Sequence, residues 1–297
     1  MVSPLTRLAK TTALATARRV PLVRRVADFV SQNLADHHTY AYVRRRFIQN
    51  GDGSAFGTAA RERIVERFEL IDKSVQSGTS STDGLLMAEA LLSVRAPGHI
   101  VECGCFLGAS TSKLSIIAGL LGRPMHVFDS FEGLPRANDY DRRDHDARKP
   151  STWVSDWNAG NYRGTLDTVR CHVSQYGDIS VCRFYKGWFD ETLVDTNVPE
   201  HISFAFTDVD LPSSAKTCLL ALWPRLTDGA VYFSHDVAFF KVLEAVLDDH
   251  VWASLAEPRP ILFGAGFGMC DASPHLGFFA KGKSATADYV KSLLVDK

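Results

Sequence analysis

"HIVECGCFLGASTSKLSIIAGLLGRPMHVFD", His99 to Asp129, is the stretch whose reading decides the fold. "HIVEC" reads as a short buried strand with an acid, Glu102, near its end. "ASTSKLSIIAGLLG" reads as a helix ended by Gly122. "MHVFD" is then a second strand that leaves the sheet at Asp129. A strand, a helix and a strand in this order make a parallel pair, because parallel strands need a crossover of roughly a dozen residues or more.

The same alternation continues outward. "GTLDTVRCHVSQYG" is a helix, "SVCRFY" and "ISFAFTD" are strands, and "PSSAKTCLLALWPRL" is a helix with Pro212 in its first turn. "GAVYFSHD" is a strand, "FFKVLEAVLDDHVWASL" a helix, and "PILFGAG" and "HLGFFAKG" are two closing strands with no helix between them. The expected fold is therefore α/β: a doubly wound, mainly parallel sheet of seven strands, with helices on both faces and an antiparallel terminal strand. Upstream, "GTAARERIVERFELIDKSVQ" has apolar residues at Ile64, Val65, Phe68 and Ile71, a helical spacing. After the polar break "SGTSST", Thr82 or Asp83 is placed to cap the helix "GLLMAEALLSV". Residues 1–82 are read as an N-terminal helical extension and 83–297 as the main domain. A charged, aromatic-bearing segment, 136–162, interrupts the alternation and reads as a lid, since Tyr140, Trp153, Trp157 and Tyr162 gain most by covering something.

Charge and composition narrow the function. With 33 basic and 34 acidic residues the net charge is −1, which gives no reason to expect nucleic acid. No uncharged apolar run reaches the roughly 18 residues of a spanning helix. The six cysteines are scattered without a CxxC pair, which suits buried thiols in a reducing cytosol, so the expected location is cytoplasmic. Six basic residues precede the first acid, Asp28. That start reads as an arm that packs on the body or on a second subunit, with peripheral membrane contact or a transit peptide as the competing readings; Pro21 interrupts any long amphipathic helix.

Two sites are expected on one rim, because ligands of doubly wound sheets bind beyond the carboxyl ends of the strands. The first is the turn after "VEC". Gly104 and Gly108 allow close approach to a cofactor, and the following helix points its N-terminus there. Asp129 lies 21 residues after Gly108, close to the roughly 20 that separate a glycine turn from a ribose-binding carboxylate. Cys105, Phe106, Ser110 and Ser130 complete the candidate cofactor set. Glu102 repels a pyrophosphate but attracts a sulfonium and its ammonium group, which favours S-adenosylmethionine over NAD. No Tyr-x-x-x-Lys pair supports a nicotinamide-dependent oxidoreductase.

The second site gathers acids. Asp208 and Asp210 end one strand, and His235 and Asp236 end the next. Carboxylates packed together repel unless a cation lies among them. Mg²⁺ suits the hard oxygens, and Mn²⁺ competes if His235 is a ligand. Asp208, also placed on the cofactor side, is a candidate catalytic residue, and His145 in the lid and His235 are the candidate bases.

"VECGCFLGAS", "VFDSFEGLP", "GTLDTVRCHVSQYG", "YKGWFDETL" and "DVDLPSSAKTCLLALWPRLTDGAVYFSHD" together resemble the macrocin and mycinamicin sugar O-methyltransferases, a group that includes the noviose O-methyltransferase. The resemblance runs from about Thr82 to Asp236. It implies a Rossmann-like methyltransferase fold, S-adenosylmethionine, Mg²⁺, a deoxysugar hydroxyl on a glycosylated or polyketide-like natural product, and a homodimer or higher oligomer. By motif position, Glu102, Gly104 and Asp129 fall on its cofactor side, and Asp208 or Asp210 with His235 and Asp236 on its metal side. Two departures stand out. The fifth strand of the family ends in two aspartates where this chain has His235, and Pro212 and Ser213 replace a Tyr-Glu pair. They raise two alternatives: a metal-independent methyltransferase with a histidine base and a non-sugar acceptor, and an inactive cofactor-binding scaffold.

Overall fold

The computed structural model describes residues 40–51, 53, 55–142, 157–264 and 275–282. Three helices come first: α1 (40–49), α2 (Thr58–Ser74) and α3 (Ser81–Ser93). The alternating part follows as β1 (His99–Cys103), α4 (Ala109–Leu121), β2 (Met125–Asp129), α5 (Asp139–Arg142), α6 (Leu166–Tyr176), β3 (Cys182–Lys186), α7 (Phe189–Thr192), β4 (Ile202–Thr207), α8 (Pro212–Leu222), β5 (Leu226–Ser234), α9 (Phe240–Leu247), α10 (Asp249–Ser254), β6 (Phe263–Gly264) and β7 (Gly277–Ala280).

The seven strands form one sheet in the order β3-β2-β1-β4-β5-β7-β6. β1 to β5 pair in parallel, and β7 runs antiparallel to both of its neighbours. The expected doubly wound α/β sheet with an antiparallel terminal strand is what the chain forms. Its centre is the most apolar part: every residue of β4, "ISFAFT", is buried. Deleting one such side chain, Phe206→Ala for instance, would cost about 3–5 kcal/mol.

Right-handed crossovers running in opposite directions from the middle of the sheet put helices on opposite faces. Accordingly α2, α3, α4 and α6 pack together, and α8 packs with α9 and the short α5 and α7. The strand order reverses between β1 and β4, and at this switch point a crevice opens beyond the strand ends.

Three local readings are corrected. Ser80, not Thr82 or Asp83, caps α3; its hydroxyl accepts from the Asp83 amide, while the Asp83 carboxylate accepts from the Ser80 amide. The helix expected over residues 239–255 divides into α9 and α10, because Asp248 leaves the helical region and caps the second piece through the His250 amide. β5 begins at Leu226, before the expected "GAVYFSHD".

The boundary drawn after residue 82 falls inside α3. Residues of α1, α2 and α3 share one apolar core with the sheet, through Phe47, Phe68 and Leu91 among others. Buried Arg61 of α2 pairs with Glu89 of α3 and donates to the carbonyl oxygen of Phe47 (2.9 Å), with its guanidinium over the Phe47 ring. Cys103, Cys105 and Cys218 are buried free thiols. No helix among the described residues is long and apolar enough to cross a membrane. The basic start of the chain, residues 1–39, lies outside the described residues, as do His145 and Trp153 of the expected lid.

Candidate active site

Asp208, His235 and Asp236 sit one or two residues past the strand ends, where the ladder still holds the backbone. The Asp208 amide donates to the Cys103 carbonyl (2.9 Å), the His235 amide to Thr207 (2.8 Å), and the Gly104 amide to Phe128 (2.9 Å). Gly104 has φ +83, and a Cβ built there would stand 1.9 Å from the Asp208 carbonyl oxygen, so only glycine lets the two turns approach this closely. Phe106, Phe131, Asp210 and Asp236 also adopt positive φ. Such conformations cost on the order of 1 kcal/mol or more each and gather at functional sites.

A single cavity of about 1310 Å³ runs along this rim. Gly104, Cys105, Phe106, Ser110, Asp129 and Ser130 line one end, and Asp83, Asp208, Asp210, His235, Asp236 and His275 the other. Asp129 accepts from the amides of Cys105 (2.8 Å) and Phe131 (2.6 Å), tying the end of β2 to the glycine turn. Burial raises its pKa against the pull of these two amides.

Glu102 and Gly108 are placed differently from the expected contact set: neither lines the cavity. Glu102 is fully buried and accepts from the Thr111 hydroxyl (2.6 Å), locking β1 to α4. Burial, reinforced by Asp208 and Asp129, pushes its carboxyl up to about 8. Glu102 thus stands behind the turn, where it ties β1 to α4 rather than lining the cavity. Gly108 is the N-cap of α4, packed against Val169 of α6.

At the acidic end, Nδ1 of His235 faces Oδ1 of Asp236 at 3.0 Å and Oδ1 of Asp208 at 3.2 Å. Nε2 faces Oδ2 of Asp83 at 3.7 Å. Burial alone would lower the pKa of this imidazole, but Asp208, Asp236 and Asp83 outweigh it and hold it raised. Burial would raise Asp236, yet His235 and His275 hold it well below the usual carboxylate range. Asp208 is raised by burial, with Asp236 and Asp83 adding to the effect and His235 opposing it. Burial, then Asp236 and Asp208, push Asp210 up to about 8.

One donor atom from each of Asp208, His235 and Asp236 lies within 4.8 Å of the others. Oδ2 of Asp236 is buried with no hydrogen-bond partner. Two carboxylates, an imidazole and an orphaned carboxylate oxygen suit a divalent cation. Asp210, the fourth expected ligand, is not part of this trio; its Oδ1 accepts from the indole N–H of Trp157 (3.2 Å).

Three participants went unread in the sequence. Asp83 was legible only as a cap, although it also faces His235. His275 stacks on His235 with ring centroids 5.6 Å apart, brought there by β7 from some forty residues downstream, and nothing local marks it. Trp157 was assigned to the lid without a partner; it is buried beside Asp210 and against Phe239.

A family profile described as macrocin O-methyltransferase (TylF) matches residues 86–257, more than half of the chain. Among solved structures, the O-methyltransferase NovP superposes with a TM-score of 0.51 at 18% identity, covering 77% of this chain and 84% of its own. The calicheamicin methyltransferase CalS11 superposes with a TM-score of 0.53 at 18% identity, covering 82% and 93%. Identities this low speak to the fold alone. No curated protein sequence matches the chain.

Proposed function

The chain belongs to the macrocin O-methyltransferase family, and from that premise we propose that it carries the methyl group of S-adenosylmethionine to a sugar hydroxyl of a small natural product. The S–CH₃ bond breaks, an O–CH₃ bond forms, and the hydroxyl proton passes to a base. The observation that carries this reading is the single cavity, with the glycine turn and Asp129 at one end and the Asp208–His235–Asp236 trio at the other. Such continuity lets a donor methyl and an acceptor oxygen meet in line.

Each group has a part. Gly104 admits the cofactor past the backbone, and the amides of the turn, fixed by Asp129, hold their orientation. The remaining lone pairs of Asp129 accept from the ribose hydroxyls. Asp208, His235 and Asp236 would hold a divalent ion, Mg²⁺ or Mn²⁺. Such an ion, when bound, lowers the pKa of an acceptor hydroxyl and offsets the clustered negative charge. Asp208, at the acidic end, is the proton acceptor. Trp157 and Phe239 wall the acceptor end and exclude water.

Calorimetry with S-adenosylmethionine tests the cofactor half. Wild-type protein is expected to bind in the micromolar range, and Asp129→Ala at least about tenfold more weakly, a loss of roughly 1.4 kcal/mol or more. No binding by the wild-type protein would sink the reading. A chelator is expected to abolish transfer to sugar acceptors; full activity after chelation would move the proton-acceptor role to His235 without an ion.

A further inference from the structure

We infer that the Asp208–His235–Asp236 site is built to take a divalent first-row transition ion, with Mn²⁺ as its representative, in preference to Mg²⁺. The inference rests on the reading above that an ion occupies this cluster, and it concerns which ion the chain selects.

The argument starts from the donors. Mg²⁺ favours an all-oxygen shell and keeps several of its own waters, whereas imidazole nitrogen suits the transition ions. Here a nitrogen, Nδ1 of His235, stands 3.0 and 3.2 Å from oxygens of the two aspartates, at the centre of the donor set. A second nitrogen is close by. Nδ1 of His275, on a side chain 41% exposed, has no hydrogen-bond partner and lies 3.7 Å from Oδ1 of Asp236. Oδ2 of Asp236, on a side chain only 8% exposed, is likewise unpartnered. A buried polar atom left unsatisfied is costly, and Oδ2 belongs to a carboxylate of the trio, so it points to a ligand there.

The other face of the imidazole is arranged to match. A metal-ligating histidine turns its second nitrogen toward a carboxylate, which fixes the tautomer and the ring. Nε2 of His235 faces Oδ2 of Asp83 at 3.7 Å. The Asp83 carboxylate is itself held by the amide (2.8 Å) and hydroxyl (2.7 Å) of Ser80. Asp83 is thus a positioning residue that presents Nδ1 to the site, and it comes from α3, outside the strand ends that carry the ligands. Helix capping and ligand orientation are served by one carboxylate.

The test is titration of Mn²⁺ and, separately, Mg²⁺ into metal-stripped protein by calorimetry, with pulsed electron paramagnetic resonance of the Mn²⁺ form. The wild-type protein is expected to bind Mn²⁺ at least about tenfold tighter than Mg²⁺ and to show spin-echo modulation from imidazole nitrogen. His235→Asp is expected to weaken that modulation and to narrow the Mn²⁺-to-Mg²⁺ ratio, and the double variant His235→Asp, His275→Ala to lose it. Equal wild-type affinities, a nitrogen-free spectrum, or no bound ion would each overturn the inference, and the spectrum of the wild-type protein requires no variant to fold. S-adenosylmethionine binding measured without added metal separates the two readings: its loss strikes the proposed transfer and leaves the metal result standing.

Discussion

Glu102 shows how the burial of one residue changes its meaning. In the sequence it stands beside a glycine turn and invites an electrostatic role. In the structure its carboxyl is enclosed, one oxygen bound to the Thr111 hydroxyl and the other, Oε1, without a partner. With a folded pKa of about 8 against an ordinary 4.5, the folded state holds the proton that the unfolded chain releases. The sign follows from linkage: the contribution of Glu102 is fully present below about pH 4.5 and is lost as pH rises toward 8, by at most about 5 kcal/mol. Glu102→Gln removes this titration while keeping a neutral group of the same shape. The variant is therefore expected to match wild type near pH 5 and to exceed it in denaturant midpoint near pH 9, with affinity for S-adenosylmethionine changed less than about threefold. A collapse of cofactor binding in Glu102→Gln at neutral pH would return the acid to the electrostatic role.

At the scale of elements, strand ends were the most legible feature and caps the least. The apolar runs of β2, β4 and β5 are bounded by acids or glycines, so Asp129, Asp208 and Asp236 could be placed on one rim from spacing alone. The cap of α3 was not, because "SSTD" offers four capping residues in a row and only the packed backbone selects Ser80. The lid stem was legible as a function but not as an attachment. Asp141 of α5 is buried and accepts from the amide (2.8 Å) and hydroxyl (3.0 Å) of Ser213 at the start of α8. Lys241 of α9 donates to the Asp141 carbonyl oxygen (2.9 Å). Ser213, which stands where the family resemblance implies a Tyr-Glu pair, supplies a dock for the loop root. Asp141→Ala leaves the Ser213 amide without this partner. It is expected to destabilise the protein by about 1–3 kcal/mol in denaturant unfolding and to raise the KM for the acceptor while the affinity for S-adenosylmethionine holds. An unchanged KM would confine Asp141 to a structural role.

For the molecule as a whole, the question is whether the N-terminal helices are an attachment or part of the enzyme. Sequence pattern divides them from the sheet, since helical periodicity gives way to alternation near residue 83, and no local signal reveals a shared core. Packing argues the opposite. Tyr40, Gly78 and Thr79 line the same cavity as the strand ends, and Asp83 faces His235. The joint is the buried pair of Arg61 and Glu89, with the Arg61 guanidinium also donating to the carbonyls of Phe47 and Phe56. Removing one partner of a buried pair leaves a charge with nothing to neutralise it, which costs about 3–5 kcal/mol, whereas replacing both with apolar groups is close to neutral. Arg61→Leu is therefore expected to lower stability by that amount, and the double variant Arg61→Leu, Glu89→Leu to recover most of it. Followed by both far-ultraviolet circular dichroism and fluorescence of the buried tryptophans, unfolding should remain one transition, and cofactor binding should fall with the fold. Two separated transitions, with the later one retaining S-adenosylmethionine affinity, would mean that the N-terminal helices form a body of their own and that the cavity is built by the sheet domain alone.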